Sequence, residues 1–254
     1  MLDATQHALQ HDAKPLSDEP RLTQFSICYT PRPGSALASF GRSWFGRAND
    51  GTTLQAFSLS GLGSGAPDGI TTTPDRYLGL HAPFFSPLTL REHARLEDIK
   101  TRLAHFAAHR KAIETGPLKL MRARRALVLR PANPRPELDW LALQCFNAFD
   151  SFAAMSETAE DGHPHLSPYQ RLLLKSFGQP NVMSEYRFSM RLAGPLDPQQ
   201  LDRLSEALAP LIAGLCAEGV CVDGLSLIGT RSAAGSGQNP GPSARLLGRY
   251  PLAG

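Results

Sequence analysis

The 254-residue chain has no stretch of about twenty apolar residues, so no membrane span is expected. Its first twenty residues also lack an apolar run and carry acids, histidines and a proline. That argues against a secretory signal and predicts a loose tail over residues 1–22. The four cysteines, Cys28, Cys145, Cys216 and Cys221, form no Cys-x-x-Cys pair. Scattered in a chain of this size, they read as reduced thiols packed in a core, as in the cytoplasm. A net charge of only +3 is too mild for a dedicated nucleic-acid binder. With 42% hydrophobic and 19% charged residues, the composition excludes a disordered chain and fits an ordinary globular one.

What is present is a stretch of strict alternation. Tyr186, Phe188, Met190 and Leu192 alternate with Glu185, Arg187, Ser189 and Arg191 up to Gly194. Period two predicts a half-buried strand over 185–194. Its open face carries two guanidinium groups flanking a hydroxyl, the chemistry of an anion site.

Around this strand, periodicity and punctuation predict further elements. A strand over 24–30 places Phe25, Ile27 and Tyr29 on one side, and Pro31 and Pro33 end it. A short helix over 35–45 follows, then a long Gly/Ser/Thr/Pro-rich loop over 47–75. A proline-broken strand over 77–90 holds His81. Helices are predicted over 91–111 and 133–152, with two strands between them at 118–122 and 125–130. Ser167-Pro168 and Asp197-Pro198 each read as an N-cap and first-turn proline. The second of these opens a helix with Leu201, Leu204, Leu208 and Leu211 inward. Strands over 220–230 and 244–252 flank a flexible loop. Both halves thus show strand–helix units followed by paired strands, which predicts an α+β fold of two similar lobes. Each lobe is expected to be an antiparallel sheet with helices on its outer face, the pair enclosing a central cleft in one bilobal domain over 23–254.

Other chemistry-bearing residues carry weaker signals. His105 and His109 have metal-ligand spacing on a helix, but the residues between them lack the glutamate of a metalloprotease motif. His163-Pro-His165 has no cysteine or carboxylate cluster near it in sequence, and no metal or cofactor is expected. Gly61-Leu-Gly-Ser-Gly65 lacks the endings of a phosphate-cradling loop. Arg122, Arg124, Arg125 and Arg130 read as a solvated basic hairpin, with RNA as the partner they would otherwise suit. They lack the interleaved aromatics of a single-strand binder.

The order of several motifs resembles the two-histidine phosphoesterase superfamily, and most closely its branch associated with bacterial phosphonate degradation. The N-terminal strand and helix are similar in Tyr29-Thr-Pro-Arg-Pro-Gly-Ser35 and Phe40-Gly-Arg-Ser-Trp44-Phe-Gly46. Arg76-Tyr77-Leu-Gly-Leu-His81-Ala82 resembles the first histidine strand. The helix from Pro136 to Asp150, Leu166-Ser-Pro-Tyr-Gln-Arg171 leading to Glu185-Tyr-Arg-Phe188, and Arg245-Leu-Leu-Gly-Arg-Tyr-Pro-Leu252 complete the series.

In that superfamily each lobe presents a His-x-Thr or His-x-Ser pair, because residues i and i+2 of a strand share a face. One imidazole takes a proton, the other gives one, and the hydroxyls hold phosphoryl oxygens. Here the first motif is His81-Ala82-Pro83 and the second is Ser189-Met190-Arg191. The resemblance implies His81 as acid or base and Ser189 at the second histidine's position. It implies Arg187, Arg191 and Tyr77 as substrate-binding residues. Proline at residue 83 donates nothing and serine has no pKa near neutrality. Arginine at residue 191 holds phosphoryl charge better than it shuttles protons. The expected ligand is a small phosphate ester, a cyclic ribose phosphate or a nucleotide, bound with lost or weak hydrolysis. The alternatives are a metal-independent cyclic phosphodiesterase using His81 and Arg191, and a non-catalytic protein or RNA interaction module.

Overall fold

The computed structural model describes residues 23–45, 79–154, 165–230 and 244–253. The tail at 1–22, the 47–75 loop, Tyr77 and His163 lie outside the described residues. In chain order the elements start with β1 (Gln24–Tyr29), α1 (Ala36–Phe45), β2 (Ala82–Thr89), α2 (Leu96–Ala108) and β3 (Ile113–Glu114). Next come β4 (Leu118–Ala123), β5 (Ala126–Pro131), α3 (Pro136–Phe149), α4 (Pro168–Phe177) and β6 (Met190–Ala193). Last are α5 (Pro198–Glu218), β7 (Cys221–Val222), β8 (Gly224–Thr230) and β9 (Ala244–Pro251).

The architecture is α+β, and every strand pair is antiparallel. One sheet has the order β2-β1-β8-β9, the other β4-β5-β6, and β3 pairs with β7 between them in sequence. β1 is central in its sheet, so Ser26 and Cys28 are buried along with Phe25, Ile27 and Tyr29. Helix α2 packs on β8 and β9, α3 on β2, and α5 on β4 and β5. One apolar cluster runs through both sheets, from Phe25, Ile27 and Phe85 to Leu127, Leu129, Met190 and Leu192.

Local chemistry sets the helix ends. Ser167 accepts from the backbone N–H of Gln170, and Asp197 from that of Gln200. Both glutamines reach back to the cap N–H, completing two capping boxes ahead of Pro168 and Pro198. Helix α4 stops at Gly178 in the left-handed region. Helix α5 buries Leu201, Leu204, Leu208 and Ile212, whereas Leu211 is 56% exposed. The sequence reading that turned Leu211 inward is thereby corrected: over three turns the stripe drifts to Ile212.

Three boundaries also move. The strand expected over 185–194 is paired only at Met190–Ala193 and follows a 3₁₀ turn at Met183–Glu185. β2 begins one residue after His81. The 220–230 strand is broken between β7 and β8.

At the end of α5 the chain passes tightly over the β3–β4 joint. Gly219 has φ 71, and a β-carbon there would lie 2.0 Å from the carbonyl oxygen of Gly116. Nothing lies within 4 Å of such an atom at Gly214, inside α5. Gly214→Ala is expected to stabilise the fold by up to ~1 kcal/mol through helix propensity. Gly219→Ala should cost roughly 3 kcal/mol from backbone strain and a clash with main chain. Urea unfolding of the two variants checks the contrast, which fails if they shift stability in the same direction.

Candidate functional site

Cross-strand register sorts the four-stranded sheet into two faces. Cys28 lies opposite both Pro83 and Ser226, and Ser226 opposite Arg249, so these residues share one face. Tyr29 lies opposite Ala82, which places the preceding His81 beside Thr30 on that same face. The Thr30 and Ser226 hydroxyls are hydrogen-bonded at 2.7 Å and both side chains are buried. Half-buried His81 donates from Nδ1 to the carbonyl oxygen of Gly79 at 2.8 Å. A carbonyl only accepts, so the ring proton sits on Nδ1 and Nε2 is the basic nitrogen of the neutral ring.

The three-stranded sheet is sorted the same way. Lys119 lies opposite Arg130, Met121 opposite Val128, and Val128 opposite Arg191. These residues occupy the face turned away from Leu120, Leu129 and Met190, which face the helical side. Alternation puts half-buried Ser189 on the face of Arg191. The alternate side chains Tyr186, Phe188, Met190 and Leu192 are all buried.

Aromatic packing brings the two motif-bearing segments together. The Phe188 ring lies 5.9 Å from that of Tyr29 and 5.7 Å from that of Phe84, and Tyr186 stacks on Phe84 at 6.0 Å. β2 therefore approaches β6, with His81 at the start of one strand and Ser189 just ahead of the other. Phe84 and Phe85 are core residues, Phe85 packing on Phe25, Phe146 and Phe149, so neither plugs the face that carries His81.

Arg187 is exposed and donates to the carbonyl oxygen of Ser184 at 2.7 Å rather than to Glu185. With Lys119, Arg130, Arg135, Leu138 and Asp139 it lines a pocket of about 400 Å³. Burial and the charge of Arg187 hold the Arg130 guanidinium below its ordinary value. Burial raises the Asp139 carboxyl, and Arg187 opposes that rise.

Lys119, Arg135 and Asp139 were not singled out by sequence reading, and Arg130 was grouped with the wrong partners. Arg122 pairs with Asp202, Arg124 donates to Gln170, and Arg125 to the carbonyl oxygen of Leu196. Arg122, Arg124 and Arg125 are exposed around the β4–β5 turn as a solvated basic hairpin, and only Arg130 leaves that group to line the pocket. The available signal was Lys119-x-Met121 facing Val128-x-Arg130 across a tight hairpin.

Other candidates fall elsewhere. Tyr186 is buried, its phenol pushed far up by desolvation, and its hydroxyl has no hydrogen-bond partner among the described residues, so it does not replace an imidazole. His93 lies in an exposed turn. The His105 and His109 rings are 4.4 Å apart, and no group of three metal-ligating side chains occurs among the described residues.

Residues 80–236, more than half of the chain, match the family described as "Protein of unknown function (DUF1045)", and the chain belongs to that family. It is 28% identical over 179 residues to the ribose 1,5-bisphosphate phosphokinase PhnN of Janthinobacterium sp. (strain Marseille). That match takes in 69% of this chain and 39% of the relative, so the chain spans about two fifths of the length of the curated relative. Among solved structures, it is similar to TT0787 of Thermus thermophilus, with TM-score 0.47 and 12% identity over 91% of this chain and 98% of that one. It is also similar to E. coli LigT complexed with 3′-AMP, with TM-score 0.45 and 10% identity over 92% and 100%. A structure titled as a phosphoesterase gives TM-score 0.44 and 12% identity over 92% and 100%.

The face carrying His81 also carries Cys28, which is 1% exposed and whose thiol is pushed by burial from 9.0 up to about 12. Between these values the folded state keeps a proton that the unfolded state releases, so stability falls as pH rises through that window. Burial keeps the Cys28 thiol protonated, and only the thiolate is alkylated. Iodoacetamide at pH 8 is expected to label the partly exposed Cys216 while Cys28 reacts only after unfolding in urea. Mass spectrometry showing equal labelling of both in the native protein would contradict this burial.

Proposed function

We propose that this protein binds a small phosphate ester, a cyclic ribose phosphate or a nucleotide, where β2 approaches β6, and that its hydrolysis is lost or weak. His81 stands on one wall and Ser189 and Arg191 on the other, with Arg187 beside them. One observation carries this reading: the aromatic contacts of Phe188 with Tyr29 and Phe84 hold the Arg191 strand next to the His81 strand. A guanidinium at residue 191 offers forked donors to phosphoryl oxygens but stays protonated. Ser189 supplies no second group that titrates near neutrality. Such a site favours binding over proton transfer.

The relative's name, ribose 1,5-bisphosphate phosphokinase, fits a phosphorylated sugar as ligand. The chain contains no Gly-Lys-Ser/Thr phosphate loop, so kinase chemistry is not part of the proposal. We assign the protein to bacterial phosphonate metabolism, as its motifs imply, and to the cytoplasm, which its four free cysteines suit. No helix among the described residues is long and apolar enough to cross a membrane.

A second reading has its own observation. The hydrogen bond from His81 Nδ1 to Gly79 leaves Nε2 as a ready base, which favours a metal-independent cyclic phosphodiesterase assisted by Arg191.

Two measurements decide between them. Calorimetric binding of adenosine 2′,3′-cyclic phosphate should weaken about tenfold or more in Arg191→Ala, the scale of a lost charged hydrogen bond. Absence of binding in the wild type removes the proposal. In EDTA, hydrolysis by the triple variant Pro83→Thr, Ser189→His, Arg191→Thr should exceed that of the wild type by about 10²–10⁴-fold, the usual worth of a positioned acid or base. Equal rates, with activity abolished in His81→Ala, would establish the second reading instead.

A further inference from the structure

We infer that the pocket lined by Lys119, Arg130, Arg135 and Arg187 is a second anion subsite, so that the ligand carries two phosphoryl groups rather than one. This inference rests on the phosphoester reading of the adjoining His81–Ser189–Arg191 site. Four cations and one carboxylate, Asp139, line a pocket of about 400 Å³. Among the described residues none of the four forms an ion pair; the pairs that occur there include those of Arg95, Lys100, Arg122 and Arg249.

Two features show that these cations are held together against their own repulsion. Arg130 and Arg187 lie close enough for each charge to be felt by the other, and the buried Nε of Arg130 has no hydrogen-bond partner among the described residues. A buried guanidinium donor without an acceptor is costly unless something negative meets it. Arg135 is also fixed in place. Its Nε donates to the carbonyl oxygen of Thr115 at 2.8 Å, and its guanidinium lies where a β-carbon of Gly116 would otherwise stand. Gly116 has φ +62, a conformation that suits glycine, so the backbone leaves room for this arginine.

The pocket is next to the first site by strand register. Leu129 pairs with Met190 at the end of the ladder; Arg130 continues β5 beyond it, and Ser189 leads back to Arg187 and Phe188, which line the pocket with Arg130. Neighbouring strands lie about 4.8 Å apart, a separation on the scale of one pentose ring. A sugar with a phosphoryl group at Ser189 and Arg191 therefore presents its far substituent toward Arg130 on β5, with Lys119 opposite Arg130 on the next strand. The chemical class is a doubly phosphorylated pentose or nucleoside, such as a cyclic phosphate with a further terminal phosphate.

The test compares two probes by calorimetry: adenosine 2′,3′-cyclic phosphate and the same molecule bearing a 5′-phosphate. In the wild type the 5′-phosphate should tighten binding about tenfold or more. In the double variant Lys119→Ala, Arg130→Met that ratio should fall to near one, while Lys100→Ala on α2, which removes a single positive charge elsewhere, should keep it. Lys119 is an exposed strand position, so Lys119→Ala alone, expected to lose about half of the gain on a logarithmic scale, covers the case in which the double variant does not fold. Equal affinity for both probes in the wild type overturns this inference and leaves the phosphoester reading standing. So does a ratio unchanged in the variants. Binding of neither probe overturns both, and binding of the 5′-phosphorylated probe alone, lost in the variants, keeps the pocket and removes the first site.

Discussion

The proposed site depends on one packing event, the contact of the Phe188 ring with both Tyr29 and Phe84. Residues 186–189 belong to no strand ladder, and the backbone bond from Tyr186 to Met183 only closes the preceding 3₁₀ turn. Side-chain burial places them. Tyr186 and Phe188 anchor the segment on the four-stranded sheet, and Met190 and Leu192 anchor its continuation in the three-stranded one. The polar residues between them inherit their positions. A slip of one residue would drive Arg187 and Arg191 into the core and lift the aromatics into water. The register is therefore defended by about 2–3 kcal/mol of apolar burial at each ring.

That division explains what could be read from the sequence. Period two at 186–192 was enough to name the buried and open faces, because the pattern records burial whether or not a strand partner exists. It was not enough to mark where pairing starts, since hydrogen bonding begins only at Met190 beside Leu129. The N-caps at Ser167 and Asp197, each followed by a proline, are local in sequence and were legible for that reason. Lys119, Arg135 and Asp139 were not, because they come from β4, the loop before α3 and α3 itself, and meet only through long-range packing. Arg130 shows the same limit: close to three other arginines in sequence, it faces a different partner set once β5 is paired on both sides.

The chemistry follows the same physical line. An imidazole pair can pass a proton across a bound ester; a guanidinium and a hydroxyl can hold the ester but not complete the relay. On the proposed reading, the tautomer of His81 fixed through Gly79 supplies half of such a relay from the four-stranded sheet. The opposite wall would then offer permanent positive charge in place of proton chemistry. Anion recognition survives changes of pH that would switch histidines on and off, because arginine stays charged throughout.

Helix α1 adds a consequence of a different kind. It follows β1, a central strand of the four-stranded sheet, yet Trp44 donates from Nε1 to the carbonyl oxygen of Leu192 in the other sheet at 2.8 Å. β1 itself pairs with β8, about two hundred residues later. During synthesis β1 and α1 thus lack these two partners until Leu192 and β8 have also been made. Phe25 can stack on Phe85 of β2 early, but Tyr29 and Trp44 wait for Phe188 and Leu192, the situation in which nascent chains aggregate or recruit chaperones. The interlock that seats the two sheets side by side makes β1 and α1 depend on partners far along the chain.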